Sequence, residues 1–334
     1  MPLDPLARDH FDPERVEAIA EVAARSPVPA RIGNILIGSC SWTDPTLVKS
    51  GLWYPKSANN AEKRLRFYAS QFPVVEVDSS YYALPTAANA ERWVARTPDD
   101  FVFDVKAFGS LTGHDVDLRR LPKALKEVTP PDLLRKGRVR ASKLPPSLHR
   151  AMDRWFVEAL EPLRVAGKLG CVLLQFPPWM VASDHNVRAI AECRDRLGAL
   201  PLAVEFRHQS WVAPDRVDRT LDLLRNHGMS WVCVDAPDGP KNAMPMVVEV
   251  TNPALAVVRF HGRNRFTWNK RVGTAAERFD HLYSAAELTE WVEPIQELAD
   301  QAQQVHGLMN NCTYNAAQLS GYGLAALIAE AATR

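Results

Sequence analysis

Short apolar runs alternate along this chain with longer segments in which apolar residues recur at helical spacing. The runs are Ile35–Ser39 (ILIGS), Val74–Asp78 (VVEVD), Phe101–Lys106 (FVFDVK), Cys171–Phe176 (CVLLQF), Leu202–His208 (LAVEFRH), Trp231–Asp235 (WVCVD), Val257–His261 (VVRFH) and His306–Asn310 (HGLMN). Helices are predicted near Ala61–Gln71, Ala87–Arg96, Leu148–Ala166, Asn186–Leu197, Pro214–His227 and Ala286–Gln303, with a closing helix at the C-terminus. Strands that alternate with helices favour a parallel sheet, because parallel neighbours need a crossover connection. Eight such strands predict an α/β chain with a TIM-type (β/α)₈ barrel. A doubly wound open sheet is the structural alternative.

Three segments depart from that regularity. Residues 1–30 read as an N-terminal extension with one helix begun at Asp12-Pro13, which leaves 31–334 as a single barrel domain. The link 236–256 is rich in proline and reads as loop with one extra strand, MVVEV. After the third strand, residues 108–147 form an insertion much longer than an ordinary βα connection. It carries Arg119, Arg120, Lys123, Lys126, Arg135, Lys136, Arg138, Arg140 and Lys143. A basic lid over an anionic ligand and a solvated surface insertion are both consistent with it.

The polar residues inside the runs carry the chemical signal. Side chains alternate along a strand, and barrel sites form at the C-terminal strand ends. In LAVEFRH, Val204 and Phe206 share one face, so Glu205 and Arg207 share the other. The same alternation sets Glu76 with Asp78, Asp104 with Lys106, Cys233 with Asp235, and Arg259 with His261. Gln175 closes the fourth strand, and Asn310 with Asn311 closes the eighth. A barrel serving only as scaffold would fill these layers with branched aliphatics. The expectation is therefore a polar ring in which acids offset bases.

Composition changes this picture little. The net charge is +1, and no apolar run is long enough to span a membrane. The charged N-terminus lacks the apolar core of a signal peptide, which leads to the expectation of a cytoplasmic protein without a membrane partner. Five cysteines without a CxxC spacing read as free thiols.

Several stretches together resemble the YecE-like family, a family built on a domain of unknown function. They are IGSCSW (Ile37–Trp42), WYP (Trp53–Pro55), EVDSSYY (Glu76–Tyr82), FDVKA with TGH (Phe103–Ala107, Thr112–His114), LLQFPP (Leu173–Pro178), AVEFRHQSW (Ala203–Trp211), RFHGRN (Arg259–Asn264), LYSAAEL (Leu282–Leu288) and MNN (Met309–Asn311). The resemblance implies a TIM-type barrel and no established reaction. One departure is Cys312, where members of the family often carry an acid after the paired asparagines. Cys40 and Cys312 follow neighbouring strands of a closed barrel, so a redox pair or a shared soft-metal site is conceivable.

Three functions compete. The first is metal-assisted hydrolysis of a phosphoester or other anionic substrate, with a divalent ion on Glu76, Glu205, His208 and His261 lowering the pKa of a bound water. Arg207, Arg259 and Arg263 would hold the anion. The second is metal-free acid–base or Schiff-base chemistry on a small polar substrate, with Glu205, His261, Lys106, Asp78 and Asp235 as catalytic candidates. Gln175, Asn310, Asn311, Trp42, Tyr82 and His114 would line either site. The third is a nucleic-acid or polyanion binder without turnover, using the basic insertion and the aromatics Trp42, Trp53, Tyr81, Tyr82, Trp211 and Trp268. His208 could act in the site or fix the turn before Gln209-Ser210-Trp211.

Overall fold

A computed structural model describes residues 10–270 and 275–333. The eight barrel strands are β1 (Ile35–Cys40), β2 (Val74–Val77), β3 (Val102–Lys106), β4 (Leu169–Gln175), β5 (Leu202–Glu205), β6 (Met229–Asp235), β7 (Ala256–Phe260) and β8 (Val305–Met309). Neighbours in sequence are neighbours in the sheet, and β8 pairs back onto β1. Register aligns Met309 with Ser39, Phe260 with Asp235, and Gln175 with Glu205. All eight expected strands form, and they close as a parallel TIM-type barrel.

By packing, the chain forms two compact units, Met1–Glu76 with Ser230–Arg334, and Val77–Met229. In the first unit, Asp12 accepts the Glu14 amide and caps the helix Pro13–Ala23, as the Asp-Pro pair predicts. A short strand, Arg31–Ile32, runs antiparallel to β1. Gly38 lies so near β2 that a Cβ there would fall 2.0 Å from the Val74 carbonyl oxygen, which explains glycine at this point of IGSCSW. The segment expected to form one helix over 286–303 is two helices, Ala285–Thr289 and Val292–Gln301. Pro294 lacks an amide donor and its ring crowds the carbonyl four residues back, so the helix restarts just before it. The MVVEV stretch makes no strand; instead the Val247 carbonyl and the Thr251 hydroxyl accept from Trp231.

In the second unit, the run LAVEFRH ends as a strand at Glu205. His208 then caps the 3₁₀ turn Gln209–Val212 by accepting the Ser210 amide, which is the turn-fixing alternative for this histidine. The basic insertion is ordered. It contains the antiparallel pair Asp115–Asp117 and Arg138–Arg140 and two short helices, Lys123–Glu127 and Pro131–Lys136. Part of its positive charge is neutralised in place, with Arg119 and Arg120 on Asp117 and Lys123 on Glu127.

Candidate functional site

In the first unit, Arg259 and Glu76 form a bidentate pair with both N···O distances 2.8 Å. Both side chains are fully buried. The Cys40 thiol donates to the second oxygen of Glu76 at 3.3 Å. Burial first, and then the Glu76 charge, push that thiol well above its usual range, so it stays protonated. Arg259 thus neutralises a core carboxylate where the sequence suggested an anion-binding group.

Asp235 closes β6 and accepts from four donors. They are Arg263 Nε and Nη2, the Trp291 indole N–H at 2.7 Å, and the Tyr283 hydroxyl. Burial and the Asp235 charge raise the Tyr283 phenol well above its normal range. Burial disfavours the charge on Arg263, but Asp235 and Glu290 more than restore it, so this guanidinium is held firmly charged. Gly262, with φ of +85°, turns the chain between His261 and Arg263, and its amide donates to the Tyr283 hydroxyl. A side chain at 262 would run into His281, 2.6 Å from the position of a Cβ.

His261 is buried and stacks on Phe279, and its Nδ1 accepts from the Asn310 amide at 2.8 Å. Asn311 is spent on the His281 carbonyl and the Ser320 hydroxyl. Two non-glycine residues have positive φ angles, Ser41 just after β1 at 70° and Tyr314 in the turn before the helix Ala316–Ala332 at 51°. Such strain concentrates where the surrounding structure holds a site in shape. Trp42, Trp53 and Trp268 are core side chains and do not form a stacking rim.

The second unit assembles a different set. Glu205, fully buried at the end of β5, accepts from Gln175 Nε2 at 2.7 Å and Arg207 Nη1 at 3.0 Å. Lys106, at the end of β3, lies over the Tyr81 ring, 5.1 Å from its centroid. Ser80 donates to the Lys106 carbonyl and ties the turn after β2 to this strand end. Asp78 sits half-buried at the start of that same turn. His114 enters from the insertion, with its Nδ1 2.8 Å from the Thr112 hydroxyl. Thr112 donates its own proton to the Gly109 carbonyl at 3.4 Å. Burial, then Lys106, then Arg207 lower the His114 pKa to about 4, so the ring is neutral at physiological pH.

Aromatic side chains flank this set. Tyr82, Tyr81, His114 and Trp179 form a row of edge-to-face contacts with centroids 4.8, 5.1 and 5.5 Å apart. Its two ends are open to solvent, Tyr82 at 52% and Trp179 at 66% exposure. Trp179 was missed in the sequence. It follows LLQFPP, and the double proline there marks a loop at a strand end, which is the available signal. Trp211, by contrast, is buried and stacked on Phe206.

The expected metal set does not gather. Glu76 and Glu205 each face a guanidinium, His208 caps a turn, and His261 accepts from Asn310. Among the described residues, no three His, Cys, Asp or Glu side chains group as a metal ion would require. A cavity of about 540 Å³ opens beside the helices Pro146–Val165 and Asp184–Leu197, but none of the candidate residues line it. Among the described residues, no helix is long and apolar enough to cross a membrane.

Fold and site together define a TIM-type barrel whose strand ends carry polar and ionisable side chains, the end where this architecture builds its sites. The family described as protein of unknown function DUF72 matches residues 36–334, and the chain belongs to that family. It is 32% identical over 280 residues to the UPF0759 protein YunF of Bacillus subtilis, covering 83% of this chain and 88% of that protein. It is 26% identical over 257 residues to the UPF0759 protein YecE of Escherichia coli, covering 71% of this chain and 78% of that one. Among solved structures it is similar to a DUF72 family protein from Enterococcus faecalis, with a TM-score of 0.71 and 25% identity over 88% of this chain and 95% of that one. A DUF72 family protein from Thermotoga maritima gives a TM-score of 0.67 and 28% identity over 87% and 97% of the two chains.

Proposed function

We propose that the Val77–Met229 unit binds a small anionic substrate and that His114 transfers a proton on it. The geometry that carries this reading is His114 in edge contact with Tyr81, whose ring lies under Lys106, with its Nδ1 2.8 Å from the Thr112 hydroxyl, while Lys106 and Arg207 both disfavour its protonation. A neutral imidazole is both a competent base and a weak acid. An anion seated on the two cations would remove their share of the shift, while burial, the larger cause, would stay. The pKa of the ring would then rise in part when substrate is present. Glu205 holds Arg207 in place through one oxygen, and the same oxygen accepts from Gln175. Arg207 already shares its charge with Glu205, so it would recognise a phosphate or carboxylate through the geometry of its planar fork, while Lys106 supplies a point charge.

Metal-assisted hydrolysis is the less favoured reading, because its two expected carboxylate ligands are already neutralised by arginine. The test is a thermal-shift screen of the full chain against sugar phosphates and dicarboxylates, with and without a chelator. Stabilisation by an anionic compound, unchanged by chelator and lost in Lys106→Gln and Arg207→Gln, supports the proposal. Stabilisation that needs an added divalent ion, or that survives both substitutions, overturns it. His114→Gln should retain binding while abolishing turnover of whichever compound is converted.

A further inference from the structure

We propose that the anion bound by this unit is a nucleoside monophosphate, its base lying against the open end of the aromatic row and its phosphate on Lys106 and Arg207. The inference rests on the anion-binding reading above and adds the substrate class. A dicarboxylate would have no use for a large exposed indole beside His114, and a planar base would cover more of that ring than a sugar does. Trp179 leaves 66% of its surface in water, which is unfavourable for so large an apolar ring, and its neighbour in the row is the half-buried His114. On the other side of His114, Tyr81 carries Lys106 over its face. An exposed indole and Lys106 are thus linked through one histidine and one tyrosine, with Arg207 also acting on that histidine, and a nucleotide presents a planar ring and an anion to match.

Stacking on an aromatic side chain tolerates any base, so the row selects for a base without choosing which. A monophosphate fits better than an oligonucleotide. A polynucleotide track needs a run of cations along the backbone, whereas the proposed anion site is the pair Lys106 and Arg207.

The experiment is isothermal titration of the full chain with adenosine 5′-monophosphate, ribose 5-phosphate and adenosine, repeated on Trp179→Ala and Arg207→Gln. Because Trp179 is exposed, its truncation leaves the core intact, and a thermal melt confirms this. The expected result is that the monophosphate binds at least ~10-fold tighter than ribose 5-phosphate, as base stacking alone allows. Trp179→Ala should erase that advantage and leave ribose 5-phosphate unaffected. Arg207→Gln should weaken both phosphates and spare adenosine. Equal binding of the monophosphate and ribose 5-phosphate would overturn the nucleoside assignment and leave the anion site standing. Failure of both phosphates to bind would overturn the nucleoside monophosphate, and the anion site with it if no dicarboxylate stabilises the chain in the thermal-shift screen. A short single-stranded oligonucleotide binding more tightly than the monophosphate would replace the mononucleotide with nucleic acid.

Discussion

Arg259 holds Glu76 through Nε and Nη2, both at 2.8 Å, with neither side chain reaching solvent. Removing one partner of such a pair strands a buried charge, which costs about 3–5 kcal/mol. Glu76→Gln and Arg259→Met should each lower stability by about that amount in urea unfolding. The double variant Glu76→Leu with Arg259→Met should recover most of the loss, because apolar replacement of a whole buried pair is often neutral. A double variant no more stable than the singles would show that the pair also organises Cys40 and the β1 end.

His114 supplies a pH signature. Its pKa is about 4 in the folded protein, below the ordinary value of 6.5. The unfolded chain therefore takes up this proton first as pH falls. The stability contributed by the neutral ring is complete above about pH 6.5 and is lost progressively as pH falls toward 4, at about 1.4 kcal/mol per pH unit and at most about 3 kcal/mol in all. Histidine NMR titration should show one imidazole titrating near pH 4, absent in His114→Gln. The urea midpoint of that variant should fall less steeply between pH 6.5 and 4 than that of the parent. A His114 resonance that titrates near 6.5 would remove the basis for its catalytic role.

Tyr283 links two groups, donating to Asp235 and accepting from the Gly262 amide. Tyr283→Phe deprives a buried carboxylate and a backbone N–H of a partner together. A loss of about 1–3 kcal/mol is expected, with the fold retained by circular dichroism. Trp291→Phe, which removes one of the donors to Asp235, should cost about the same or less. A neutral outcome for Tyr283→Phe would mean that Arg263 and Trp291 suffice to hold Asp235.

The alternation of apolar and polar positions determined much of this protein. All eight strands formed where short apolar runs stood between helical segments, because a strand buried on both faces leaves a run that no surface helix imitates. Glu76, Asp235, Glu205, Arg207 and Arg259 were legible as inward-facing groups from the period of two alone. Their partners were not. Nothing local in the sequence indicates that Arg259 reaches Glu76, 183 residues away, and not a ligand, or that Asp235 is already saturated by Arg263, Tyr283 and Trp291. Desolvation and pairing depend on what the rest of the chain brings near, so the sequence named the ionisable groups but could not say which were neutralised. His114 illustrates the limit from the other side. It stood in the sequence as a candidate lining residue in the TGH stretch of an irregular insertion, without a partner or a protonation state. Only the tertiary structure put it in contact with Tyr81 and Trp179, within the field of Lys106 and Arg207, because the antiparallel pair 115–117 with 138–140 shapes the loop that carries it.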